Sequence, residues 1–380
     1  MSPGDDATRD PVAGAVPSGD GAAASAELAA RVRSGEVVSS CHFGEWDLRG
    51  VDLSGGLFEE CVFRGADLTG ANLEEALFTG CDFVGATMTR ASVRNVLFDR
   101  CDLSRAKLDG ACAISANFMS TNASSASFEG ADLVLTCFHQ ATLDGASFAK
   151  TLLDRVTVLE CGTSKLGLAG ATIRRTTFIR ADLTTASLAG AIFDMAVVLE
   201  AKLAGQDLSG ARLTRSQFTR ADLEGCDLRG ADISGCCFKD TNLAGAKLDD
   251  ARGPVALFAN ARLAGATAVG ASLKQAIFVE ADLADVDFTR ADLYQANFEK
   301  AAARGTIFRG AELTYANFPY ADVSRADFTD ASLYRARFHR VTEEETTWGK
   351  GKLVALGDDE SLAKAESWQA PAPAVTEGTR

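Results

Sequence analysis

Ala66-Asp67-Leu68-Thr69-Gly70, Ala71-Asn72-Leu73-Glu74-Glu75 and Ala76-Leu77-Phe78-Thr79-Gly80 give one five-residue pattern three times in succession. Each block is a small residue, a second residue that is most often polar, a Leu or Phe, and two more. Residues two apart on an extended segment point to the same side. The small residue and the Leu or Phe therefore point inward, and the residue between them points out. The last two residues turn the chain through a corner, where glycine helps with unusual dihedrals. Stacked turns of this kind bury one continuous core.

Outward from this stretch the frame holds from Cys41 to Arg340, with centres Phe43, Leu48, Leu53, Phe58 and Phe63 at one end and Phe318, Val323, Phe328, Leu333 and Phe338 at the other. A second period lies on top of it. Phe recurs at 58, 78, 98, 118 and 138, then at 178 and from 218 to 338 in steps of 20, with Val158 and Val198 interrupting. Twenty residues thus make one coil of four sides. Residues 41–340 give about 15 coils, a rod of about 72 Å at the spacing of β-structure. Residues 151–170 depart from the pattern, with bulky Val156 and Leu166 and with Thr163 at a centre. Gly253-Pro254 replaces a centre and its follower, and Ala113, Ala123, Ala268 and Ala303 underfill theirs. Local distortion or a slight bend is expected at these places.

The A(D/N)LXX pattern resembles that of the pentapeptide-repeat family, over about four fifths of the chain. A leucine-rich repeat or a left-handed hexapeptide β-helix has a different period. The resemblance implies an all-β solenoid, a right-handed quadrilateral β-helix, with short helical caps added here at both ends.

Open solenoid ends invite aggregation unless covered. Residues 23–40 read as the N-terminal cap: a helix from a Ser25 N-cap to a Gly35 stop, with Leu28, Ala29 and Val32 on one face. Residues 341–368 read as the C-terminal cap. The register is expected to end at Thr342–Glu345, Trp348 and Trp368 are candidates to plug the end, and a helix is expected from Asp359 to Trp368. Residues 1–22 and 369–380 read as disordered tails. Some family members pair through their C-terminal ends, so the resemblance also implies a possible homodimer there.

Among the 380 residues the formal net charge is -14, and the repeat frame holds 38 acidic and 31 basic side chains. That balance argues against direct nucleic-acid binding through a basic patch. No apolar run is long enough for a membrane span, and the first residues lack the n- and h-regions of a secretory signal. A cytoplasmic location is expected. No nucleophile elbow, P-loop or HExxH motif occurs, and His42, His139 and His339 lie far apart along the rod. The expectation is a non-enzyme without metal or cofactor. Cys41, Cys61, Cys81 and Cys101 recur every 20 residues, with Cys161 in phase. A straight ladder cannot close a tetrahedron around zinc, so these read as small inward filler.

The four sides differ in what they point outward. Three carry mainly polar residues. Asp207, Asp227, Asp287 and Asp327 lie on one, and Asp182, Asp222, Asp282 and Asp322 on another. On the Phe-ladder side the outward residues include no acid. Leu57, Leu77, Leu97, Val197, Leu257 and Ile277 lie there, and the next position adds Met119, Ile179, Leu199 and Val279. An exposed apolar stripe marks an interface, so the first functional expectation is a scaffold or adaptor that binds another protein. The family resemblance implies a second: quinolone-resistance and self-immunity members mimic B-DNA and occupy the DNA site of gyrase, and the eight aspartates just named would be the mimic acids. B-DNA carries one charge per roughly 1.7 Å, against about -0.5 net per coil here. A third, also from resemblance, is an accessory role beside type VI secretion spike proteins, with a secretion component as partner.

Overall fold

The computed structural model describes residues 21–368. The disordered tails expected at 1–22 and 369–380 lie outside these residues, except that Gly21 and Ala22 already belong to helix α1 (Gly21–Arg33). From Val37 onward the backbone pairs in parallel with itself twenty residues later, and it does so on all four sides. The first rungs are Val37↔Leu57, His42↔Val62, Asp47↔Asp67 and Asp52↔Asn72. The inward positions fill the axis, with Leu48, Leu53, Phe58, Phe63, Ala66 and Leu68 fully buried.

Every corner of the repeat frame except the one at Thr185 bends at a residue in the left-handed region. Gly80 (φ +64°) adopts it freely, whereas Arg100 (φ +53°) carries a Cβ there. The coil spacing holds them in place: the Gly80 amide donates to Asp99 O at 2.9 Å and the Arg100 amide to Met119 O at 2.9 Å.

The Phe ladder stacks face to face, as at Phe58–Phe78 (4.8 Å) and Phe258–Phe278 (4.9 Å). A second column, Phe43–Phe63–Phe83, stacks beside it and meets it edge to face. Along the main ladder, three-residue strands from Val37–Ser39 to Val197–Leu199 form a nine-stranded parallel sheet.

The distortion expected at 151–170 takes the form of a second sheet, made of Leu152–Asp154, Thr172–Arg174 and Ile192–Asp194. Asp154 is buried there, 2.9 Å from Arg174 and 3.6 Å from Arg155. The Arg174 hydrogen bond holds the Asp154 carboxyl below its ordinary range. At Gly253 the neighbouring coils supply the missing side chain. A Cβ there would lie 2.7 Å from Ile233 and 2.9 Å from Leu273.

Both caps differ in detail from the sequence reading. Helix α1 starts at Gly21, so Ser25 lies inside it rather than at its N-cap. The reason is the alanine run 22–24, a strong helix former upstream of the serine. Leu28 and Val32 are buried in the same cluster as the repeat core, and Gly35 (φ +74°) ends the helix. At the other end the register does not stop at Arg340. Bridges Asp322↔Thr342 and Asp327↔Thr347 continue it, and Trp348 stacks on Phe328 at 4.8 Å, in the place of a further centre. A 3-10 turn (Gly349–Val354) follows, and then helix α2 (Glu360–Glu366), capped by the Asp359 carboxylate. Trp348 plugs the end, but Trp368 is 71% exposed and plugs nothing.

Candidate protein-binding faces

Parallel pairing places Leu57, Leu77 and Leu97 directly above one another. Leu57 is 39% exposed, and the other two are half-buried between their neighbours. Met119, Ile179 and Leu199 sit one column over, where Ile179 pairs with both Leu159 and Leu199. Val197 pairs with Thr177. Leu257 bridges to Ile277, which is 38% exposed, and Val279 lies beside them, half-buried. The stripe is therefore three patches, separated by exposed Asn117 and exposed Gln217.

The eight aspartates have a structural task that their spacing alone did not reveal. Each carboxylate accepts the backbone N–H two residues on and so closes the corner that follows it. Asp182 takes Thr184 N, Asp207 takes Ser209 N, Asp222 takes Glu224 N and Asp227 takes Arg229 N. Asp282, Asp287, Asp322 and Asp327 take the amides of Ala284, Thr289, Ser324 and Thr329. Asn fills the same role at Asn72 and Asn122, which explains the D/N preference of the repeat. Asp227 and Asp327 also pair with Arg229 and Arg309, which reduces the acidic field along that side.

The cysteines likewise do more than fill space. The thiols of Cys81 and Cys101 donate to Phe58 O and Phe78 O, the carbonyls 23 residues back. Thr121, Cys226 and Thr241 repeat the bond to Phe98 O, Leu203 O and Phe218 O. A contact with Cys101, together with burial, pushes the Cys81 thiol up to about 12, and burial pushes Cys226 up to about 11. Both are poor nucleophiles. Among the described residues no group of side chains is arranged to hold a metal ion, and no helix is long and apolar enough to cross a membrane.

Two exposed clusters near the C-terminal end escaped the sequence reading. Tyr315 and Tyr334 stack edge to face at 5.9 Å, and Tyr294 meets Tyr315 at the same distance. All four tyrosines of the chain fall between 294 and 334, a clustering visible in the sequence. The second cluster is apolar: Leu353 (90% exposed), Val354, Leu356, Leu362 and Trp368. Glu366 anchors α2 beneath it, bonding to Tyr320, to His339 at 3.2 Å and to Arg340 at 2.6 Å.

The pentapeptide repeat family matches in overlapping copies that fall within residues 47–149 and 200–342. This chain belongs to that family. Its repeats wind the right-handed quadrilateral β-helix that the family builds, and the unmatched stretch, 150–199, is where the second sheet forms. No curated protein matches the chain. Among solved structures it is similar to QnrB1, a plasmid-mediated fluoroquinolone resistance protein, at 22% identity over 53% of this chain and 88% of that one, with a TM-score of 0.34. It is also similar to HetL, a pentapeptide repeat protein involved in heterocyst differentiation regulation from the cyanobacterium Nostoc. That likeness has 23% identity over 69% of this chain and 91% of HetL, with a TM-score of 0.18. A pentapeptide repeat protein of the Arabidopsis thaliana thylakoid lumen matches at 27% identity over 29% of this chain and 70% of its own, with a TM-score of 0.20. These likenesses describe the fold.

Proposed function

We propose that this chain is a non-enzymatic scaffold that binds another protein along the Phe-ladder side of its rod. The in-register column Leu57–Leu77–Leu97 carries this reading, because it sets apolar side chains on a rigid surface whose outward positions include no acid. DNA mimicry toward gyrase is the weaker reading. The mimic acids are occupied in closing corners, and Asp227 and Asp327 are paired with arginines. A combined Leu57→Asp, Leu77→Asp, Leu97→Asp and Ile277→Asp variant should keep its circular dichroism and melting profile. Affinity capture from the native cell, read by mass spectrometry, should lose its partner at least about tenfold, since buried apolar contacts dominate such interfaces. Undiminished capture removes this reading.

The chain also pairs with itself through its C-terminal end, in this proposal, by covering Leu353, Val354, Leu356, Leu362 and Trp368. The backbone of Val354 and Leu356 closes the last rung of the ladder, against Arg335 to Phe338, while the side chains of all five residues stay exposed. Sedimentation equilibrium should give a dimer, and Leu353→Asp with Trp368→Asp should weaken it about tenfold or more. A monomer at all concentrations rules the pairing out.

A further inference from the structure

One corner of the rod is basic on an otherwise acidic chain. Corner residues of four successive coils, Leu135, Arg155, Arg175 and Met195, stack in one column, each in the left-handed region. Their amides step along the rod: Leu135 N donates to Asp154 O, Arg155 N to Arg174 O, Arg175 N to Asp194 O and Met195 N to Thr214 O, at 3.0 to 3.2 Å. Beside them Asp154, Arg174 and Asp194 pair in register in the second sheet. No other two successive coils of the repeat frame put three Arg or Lys side chains on one corner.

The charges there do not cancel. Asp154 is buried, and Arg174 grips it through Nε at 3.2 Å and a terminal nitrogen at 2.9 Å. One guanidinium in that two-point geometry satisfies one carboxylate. Arg155 and Arg175 stand off at 3.6 and 3.8 Å, beyond hydrogen-bond reach, and both side chains are half-exposed. Arg215 is matched by Asp194 at 2.6 Å. Four arginines against two aspartates leave two positive charges in excess, on a chain whose net charge is -14.

We propose that this corner binds a phosphorylated serine or threonine in an extended segment of a partner protein. A phosphate monoester carries about -1.5 to -2 charge at neutral pH. That matches the excess, and a single carboxylate does not. Guanidinium forks bond phosphate oxygens in pairs, and Arg155 and Arg175 both have theirs to offer. The row lies along an outer corner of the rod, whereas small-molecule sites are concave. Its ends define the rest of the segment. Leu135 and Met195 are exposed, as is Leu152 on the strand that carries Asp154. Three coil steps separate Leu135 from Met195, about 14 Å. Four residues of extended chain span about 13 Å, and residues two apart face the same way. The matching segment therefore has an apolar residue two before and two after the phosphorylated one, and it runs along the rod. This goes beyond the Phe-ladder reading and does not rest on the Leu57–Leu77–Leu97 column.

The test uses the full chain and a seven-residue peptide, blocked at both ends. The peptide has a central phosphoserine, leucine two residues to either side, and alanine elsewhere. Isothermal titration calorimetry at about 0.15 M salt, where distant charges are screened, should show saturable binding. Glutamate in place of phosphoserine should weaken it at least about tenfold, and alanine in place of both leucines about tenfold. In the protein, Arg175→Gln should weaken it about tenfold, and Arg155→Gln with Arg175→Gln about 100-fold, as hydrogen bonds to a charged group are lost. Circular dichroism and melting should not change, because neither side chain is buried. Arg64→Gln removes the same charge several coils away and should leave binding intact, as should the fourfold aspartate variant of the Phe-ladder side. The proposal is overturned by an absence of binding, by equal affinity for the glutamate or the leucine-free peptide, by binding that survives the double arginine variant, or by an equal loss in Arg64→Gln. A DNA duplex that displaces the peptide at equal phosphate concentration overturns it in favour of nucleic acid.

Discussion

From Leu57 to Leu199 the corner after each Phe-ladder centre runs on as strand, whereas from 200 to 340 the same corner folds as a tight turn. In the first region the residue after the centre joins the sheet, as in Glu59↔Thr79 and Leu159↔Ile179. In the second the chain closes on itself instead: Ala221 N donates to Phe218 O at 3.0 Å and Ala261 N to Phe258 O at 3.0 Å. The two solutions satisfy similar backbone groups through different partners, one in the next coil and one in the same coil. Pro319 marks the difference. A proline at that corner position has no amide to give to a ladder, and it occurs only in the turn region. A five-residue rhythm therefore fixes which residues point inward, and leaves the corner to be decided by what each amide can reach.

The core should show the largest effects, and should show them unequally. Phe78 stacks on Phe58 and Phe98 and also meets Phe63 and Phe83 edge to face. Phe258 has stacked partners only, Phe238 and Phe278. Both substitutions to Ala should cost about 3–5 kcal/mol. Phe78→Ala should lie higher, because each edge-to-face pair adds about 0.5–1.5 kcal/mol. Urea unfolding with region-specific hydrogen exchange separates the two, and a larger loss at Phe258 would break the distinction between double and single ladder.

Proline scanning sharpens the corner comparison directly. Thr79→Pro removes an amide from the strand register and should destabilise by about 1–3 kcal/mol. Ala259→Pro occupies the equivalent position in the turn region, one coil-phase with Pro319 and on the same corner. It should be neutral within about 0.5 kcal/mol, since proline also restricts the unfolded chain. Equal losses at the two positions would mean that the strand and turn corners are energetically alike.

Much of this architecture was legible in the sequence because inward and outward positions follow from spacing two apart, a strictly local relation. The inward centres follow from it, the Phe ladder and four sides from the 20-residue superperiod, and the buried face of α1 at Leu28 and Val32 from the i, i+4 spacing of a helix. What escaped was non-local. The corner-closing role of Asp182 or Asp222 depends on the turn geometry, and the donation from Cys81 to Phe58 O depends on how one coil sits upon another. Trp348 looked like a plug outside the frame because Glu343–Glu345 lacks the usual apolar centre, yet Phe328 and Phe338 offered a stacking place that an indole fills. Gln206 stands at an inward position where a small residue is usual. Its bonding depends on three carbonyl partners contributed by the preceding coil.

The smallest expected non-neutral effect concerns a corner residue rather than a corner type. Val255 is 53% exposed and sits at φ +54°, in the left-handed region where a β-branched side chain is least at ease. Its amide donates to Lys274 O at 2.9 Å, and that bond holds the conformation against its strain. Val255→Gly keeps the amide and removes the Cβ, so it should stabilise by about 1 kcal/mol. Glycine also gains freedom in the unfolded chain, which opposes the effect, so the net should stay below the full strain energy. Gly80 occupies the matching place on a strand corner at φ +64°, and Gly80→Val should lose at least as much as Val255→Gly gains. If both substitutions prove neutral in urea unfolding, left-handed strain is not what separates glycine from other residues at these corners, and the preference must come from the turn-forming residues beside it.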